Sequence, residues 1–136
     1  MRTIFFVEDD AVIIQVYRAK LLREGFHVEV AEDGIAALKM LPTVNADLTV
    51  LDLMMPKLGG VEVLKYIRSQ AGLRDMPVIV LSNAYVSDLA REAVALGANV
   101  ALLKSSCTPG QLVEVIHKLL GGHTFKPDAS QQLDEI

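Results

Sequence analysis

Leu48-Thr49-Val50-Leu51-Asp52-Leu53-Met54-Met55-Pro56 carries the plainest structural signal in the chain. An apolar run leads up to one acid, and the proline two residues past Met54 stops regular structure. Such a run reads as a strand buried on both faces, the kind found in parallel sheets. An aspartate at its end is costly if sealed in the core and useful if it sits at a mouth. In open parallel sheets, ligand crevices lie outside the carboxyl ends of the strands. Asp52 is therefore the candidate reactive group, and the rest of the chain is read for what it brings to that mouth.

Upstream, Ile4 to Val7 forms the first strand, closed by Glu8-Asp9-Asp10. A helix follows in which Ile13, Val16, Tyr17 and Leu21 recur on one face, and Gly25 ends it. His27 to Ala31 alternates and reads as a shorter strand near an edge. Asp33 can cap the next helix, whose buried side is Ala37, Leu38 and Leu41 before Pro42.

Downstream of the Asp52 strand, Gly59-Gly60 leads into a helix carrying Val63, Leu64, Ile67 and Ala71. Pro77 opens a strand, Val78-Ile79-Val80-Leu81, that ends at Ser82. A helix capped by Ser87 places Leu89, Ala93 and Leu96 on one face and stops at Gly97. Val100 to Leu103 is the last strand, ending at Lys104. Thr108-Pro109-Gly110-Gln111 is a capping box with proline at the first helical position. It opens a helix with Leu112, Ile116, Leu119 and Leu120 inward, stopped by Gly121-Gly122. Five βα units in a row, with right-handed crossovers, predict an α/β fold: a doubly wound, five-stranded parallel sheet with helices on both faces. One domain over residues 1–122 is expected, with the polar segment 123–136 as a tail or the start of a linker.

Composition narrows the function. With 136 residues, 51% hydrophobic and 22% charged, the chain is long enough to bury a real core. A net charge of −4 argues against a direct nucleic-acid or anionic-membrane surface. No apolar stretch has membrane-spanning length, and the apolar start is too short for a signal peptide, so a cytoplasmic protein is expected. A single cysteine, Cys107, excludes an internal disulfide framework and a Cys-based zinc cage, and reads as a packing residue.

The predicted topology gathers Glu8, Asp9, Asp52, Ser82 and Lys104 at the ends of four strands. Singly, each has an ordinary explanation: acids favour helix starts, a serine caps a turn, a lysine is a solvated charge. Their joint placement on one sheet edge is the signal. Three close carboxylates raise one another's pKa unless a cation is present, and oxygen-only ligands point to a hard metal such as Mg²⁺. A phosphoryl group on Asp52 would be shared among that metal, the Ser82 hydroxyl and the Lys104 ammonium, making Asp52 a nucleophile that forms a mixed anhydride. A flavodoxin-type FMN carrier would need a hydroxyl- and glycine-rich loop where this chain has Glu8-Asp9-Asp10. An aspartyl-phosphate phosphatase would need an acid/base where this chain has Met54.

From about Thr3 to Leu120 the chain resembles the response-regulator receiver domain, the CheY-like fold of two-component signalling. The resemblance rests on Val7-Glu8-Asp9-Asp10, Leu51-Asp52-Leu53-Met54-Met55-Pro56 with Gly60 after it, Val78-Ile79-Val80-Leu81-Ser82, Gly97-Ala98 and Lys104. It implies Asp52 as phosphoacceptor, Mg²⁺ held by Glu8, Asp9, Asp52 and the Met54 carbonyl, and Ser82 and Lys104 as switch residues. It also implies a sensor histidine kinase or phosphotransfer protein as donor, and a signalling face, with possible homodimerisation, on the fourth helix, fifth strand and fifth helix. The protein is then a phosphoacceptor signalling domain rather than a turnover enzyme.

Three positions depart from the family pattern. Ala101 stands where an aromatic switch residue is usual, with Tyr85 as a candidate substitute in the neighbouring loop. Ser105 follows Lys104 where a cis proline is usual, so a trans bond is expected. Asn83 replaces a small residue and either narrows access to Asp52 or hydrogen-bonds the phosphoryl group. Met54 and Ala84 occupy the positions that tune phosphoryl lifetime in the family; neither orients an attacking water, so a long-lived phosphorylated state is expected. The rival within the same fold is a receiver that acts as a phosphorylation-independent interaction module.

Overall fold

The apolar runs become strands, and the two central ones around Asp52 and Ser82 find cover on both faces. The computed structural model describes residues 1–83 and 87–121, the Ser87 side chain excepted. Its elements are β1 (Thr3–Val7), α1 (Ala11–Arg23), β2 (His27–Ala31), α2 (Gly34–Val44), β3 (Leu48–Asp52), α3 (Gly60–Ser69), β4 (Val78–Ser82), α4 (Ser87–Ala95), β5 (Val100–Leu103) and α5 (Pro109–Leu119). The strands form one parallel sheet in the order β2-β1-β3-β4-β5. This is the expected doubly wound architecture.

Alternation along the strands divides the core in two. Phe5, Val7, Leu51, Val78, Val80 and Ala101 face a layer closed by Ala37, Leu41, Leu64, Ile67 and Ala93 of α2, α3 and α4. Ile4, Phe6, Val50, Ile79, Leu81 and Leu102 face a layer closed by Tyr17, Leu21, Leu112 and Ile116 of α1 and α5. β3 and β4 are buried along their whole length, which is why they read as unbroken apolar runs.

Side-chain caps fix the starts of α1, α2 and α5. The Asp10 carboxylate accepts from the Val12 and Ile13 N–H groups at 2.9 and 3.2 Å. Asp33 accepts from the Ala36 N–H at 2.7 Å, and Thr108 with Gln111 forms the reciprocal capping box. The cap expected from Ser87 lies outside the described residues, as do Ala84, Tyr85 and the segment 123–136.

Three local expectations are corrected. Val16 is exposed, because the buried stripe of α1 runs through Tyr17 and Leu21, and Val16 is turned from Tyr17 by about 100°. Pro42 lies inside α2, which continues to Val44 and stops at Asn45 in the left-handed region with φ 54°. The burial of Leu41 against the sheet outweighs the bias of a residue before proline away from helix. Ala71 falls beyond α3, which ends at Ser69, and is exposed. Among the described residues, no helix is long and apolar enough to cross a membrane.

Candidate functional site

The strand order reverses at β1, which has β2 on one side and β3 on the other. The crossovers leaving β1 and β3 go to opposite faces of the sheet, so a crevice opens at their carboxyl ends. Glu8 follows the last residue of β1, and its N–H donates to the Ala31 carbonyl at 3.0 Å. Asp52 closes β3, Ser82 closes β4, and Lys104 opens a 3₁₀ turn, Lys104–Ser106, directly after β5. Register keeps these ends level: Asp52 lies beside Leu81, and Ser82 beside Leu103.

Carboxylate oxygens of Glu8, Asp9 and Asp52 lie within 4.8 Å of one another. Glu8 and Asp52 are buried and Asp9 is exposed. The Lys104 ammonium reaches between the buried pair, 3.1 Å from Glu8 Oε1, 3.3 Å from Glu8 Oε2 and 3.2 Å from Asp52 Oδ1. Asp52 Oδ1 also accepts from the Met54 N–H at 3.2 Å, and Glu8 Oε2 from the Asp10 N–H at 3.1 Å. The structure thus brings together Glu8, Asp9, Asp52 and Lys104. Asp10 is turned away as the cap of α1, a role its place before a helix would have signalled.

Electrostatics in this corner is unbalanced. Burial, then the charge of Asp52, pushes Glu8 up to about 7. Burial also holds Asp52 above the ordinary carboxylate range, against the pull of Lys104 and the Met54 N–H. Burial pulls Lys104 down, but the Asp52 and Glu8 carboxylates outweigh it and keep the ammonium above its ordinary value. Among the described residues one cation, Lys104, stands in a cluster of three carboxylates. Asp52 Oδ2 and the Ser82 hydroxyl are buried without a hydrogen-bond partner among the described residues, while Glu8 Oε1 has the Lys104 ammonium beside it. Buried polar atoms are ordinarily satisfied, so these two oxygens are places a ligand could complete. Excess negative charge and an oxygen-only donor set fit a hard divalent cation.

Gly60 explains how the chain leaves Asp52. A Cβ at Gly60 would collide with the Asp52 carbonyl oxygen, so only glycine lets α3 begin this close to the strand end. The Gly60 N–H then donates to the Leu53 carbonyl at 3.2 Å and ties the loop back on itself. Met54, inside that loop, is half exposed. Ala101 is buried in the layer beneath α3 and α4, and Asn83 is half buried at the exit of β4. The Lys104–Ser105 bond is trans, as expected. Two features escaped the sequence reading. The Tyr17 hydroxyl bonds the Cys107 carbonyl, and Arg68 bonds the carbonyls of Arg74, Met76 and Gly97. Both are long-range pairings that no local pattern announces.

Comparison with known proteins agrees with this geometry. The response regulator receiver domain family matches residues 4–117. The response regulator MprA of Mycobacterium ulcerans is 40% identical over 79 residues, 58% of this chain and 33% of that protein. The match thus spans about a third of the length of such curated relatives. The receiver domain of Francisella response regulator 1452 superposes with a TM-score of 0.79 at 31% identity, covering 91% of this chain and 99% of that one. The chemotaxis response regulator CheY4 of Vibrio cholerae superposes with a TM-score of 0.79 at 27% identity, covering 88% and 98%. The chain belongs to the response regulator receiver domain family of two-component signalling.

Proposed function

We propose that Asp52 accepts a phosphoryl group from the phosphohistidine of a sensor kinase or phosphotransfer protein. The observation that carries this is Asp52 itself. Its Oδ1 is held by Lys104 at 3.2 Å while its Oδ2, at the switch point of the sheet, is buried without a hydrogen-bond partner among the described residues. In the transfer, an Asp52 oxygen forms a bond to phosphorus as the nitrogen–phosphorus bond breaks, and the imidazole leaves with the electron pair. Lys104 meets the charge of the phosphoryl oxygens, and the Ser82 hydroxyl donates to one of them. Glu8, Asp9, Asp52 and the Met54 carbonyl would hold Mg²⁺, which supplies charge neutralisation between carboxylates and phosphoryl oxygens.

Met54 carries no acid or base, so this reading makes the chain a phosphoacceptor with a long-lived adduct rather than a phosphatase. A phosphoryl half-life of seconds in the isolated protein would contradict it. Residues 1–122 form the receiver domain in this reading, and 123–136 a tail or linker. Movement of the Ser82 end would pass to α4, β5 and α5, the face proposed for a homodimer or output partner. No direct nucleic-acid contact is proposed for this acidic chain, and its proposed place is the cytoplasm.

The second reading is a receiver that binds partners whether or not it is phosphorylated. Ala101 favours it, since a buried alanine has no ring to swing when Ser82 moves. Beryllofluoride, which mimics a phosphoryl group on a carboxylate, separates the two. Our reading expects it to bind only with Mg²⁺ and an intact Asp52, and to shift backbone amide resonances throughout α4 and β5. Shifts confined to the neighbours of Asp52, with an unchanged oligomeric state, would favour the second.

A further inference from the structure

Tyr17 stands on α1, remote in sequence from the Lys104 turn, and is 8% exposed. Its ring packs against that of Phe6, centroids 5.9 Å apart, two residues before Glu8. Its hydroxyl crosses the layer between α1 and α5 and donates to the Cys107 carbonyl. Cys107 closes the 3₁₀ turn that Lys104 opens. Burial pushes the phenol up to about 12, so the hydroxyl keeps its proton and remains a donor at any ordinary pH.

The turn therefore has a buried anchor at each end. At one end, Lys104 points into the Glu8 and Asp52 carboxylates; at the other, the Cys107 carbonyl is held by Tyr17. Between them, Ser105 and Ser106 are exposed and bring no packing of their own. A lysine side chain has many rotamers, so where its ammonium settles depends on where the backbone places its Cα. On the reading that Lys104 meets the charge of the phosphoryl group, we propose that Tyr17 is a positioning residue for Lys104. Its bond to Cys107 holds the turn and so aims the ammonium at Asp52.

The test uses the full chain and acetyl phosphate with Mg²⁺. In that reaction an Asp52 oxygen bonds phosphorus and acetate leaves with the electron pair. Initial rates are compared for the unaltered protein, Tyr17→Phe, Lys104→Gln and the double variant, each well below its unfolding transition. Tyr17→Phe keeps the ring on Phe6 and removes only the hydroxyl. It is expected to slow the reaction about tenfold, within the range that a misplaced group costs, and to leave Mg²⁺ affinity unchanged. In the Lys104→Gln background the same change should have no further effect. The ¹³Cε resonance of Lys104, read in Tyr17→Phe alone, should move away from its position in the unaltered protein.

Equal slowing in both backgrounds would overturn the proposal, because Tyr17 would then act through the fold at large. An unchanged rate with an unmoved Lys104 resonance would overturn it too. Should Lys104→Gln react at the rate of the unaltered protein, the reading of Lys104 falls and takes this proposal with it. That outcome is distinct from failure of Tyr17 alone.

Discussion

The Ser82 hydroxyl is the plainest case of a group kept for something other than stability. It is buried with no partner among the described residues, a state that ordinarily disfavours the folded chain. Ser82→Ala should therefore leave urea-unfolding stability the same or raise it by up to about 1 kcal/mol, while weakening the response to beryllofluoride. A clear loss of stability would mean that the hydroxyl has a structural partner. Gly60 argues in the opposite direction. Gly60→Ala drives a methyl group into the Asp52 carbonyl and should cost about 1–3 kcal/mol in the same experiment. Glu8 gives a pH signature. In metal-free protein its carboxyl is raised from 4.5 to about 7, so the folded state holds a proton that the unfolded chain has lost. That contribution is complete below pH 4.5 and disappears as pH rises to about 7. Stability without metal should fall across that window, and saturating Mg²⁺ should remove the fall; a flat metal-free profile would contradict the burial of Glu8.

Among the elements, α3 has a task beyond packing. Arg68 near its end donates to the Gly97 carbonyl at 2.8 and 3.1 Å, to Met76 at 2.7 Å, to Arg74 at 2.9 Å and to Asn99 Oδ1 at 3.1 Å. Asn99 Oδ1 in turn accepts from the Val78 N–H at 2.8 Å, so one guanidinium fastens the entries of both β4 and β5. Arg68→Met keeps much of the stem and removes the fork; a loss of about 1.5–3 kcal/mol is expected by urea unfolding. The elements themselves were legible because their burial is periodic or continuous. β3 and β4 are covered on both faces, and Leu64 and Ile67 recur at helical spacing. Where neighbours decide, legibility failed. Val16 and Tyr17 are adjacent and apolar, and only the placement of α1 on the sheet separates the exposed one from the buried one. Pro42 reads as a stop, yet the buried Leu41 carries the helix through it. Arg68 and Tyr17 reach partners whose positions exist only after the chain has folded.

At the scale of the molecule, one sheet edge gathers groups from residues 8 to 104, and the switch point gives them a crevice. Glu8, Asp9, Asp52 and Lys104 were legible as a set, since polar residues ending three apolar runs meet in any sheet of this topology. What the sequence did not carry was their state: which oxygens lack partners among the described residues and how far burial lifts Glu8. Whether Asp52 is a working phosphoacceptor is read from intact mass after incubation with acetyl phosphate. One phosphoryl adduct is expected, requiring Mg²⁺ and absent from Asp52→Asn. An unmodified mass in folded protein with Mg²⁺ present, or an adduct that persists in Asp52→Asn, would contradict the account.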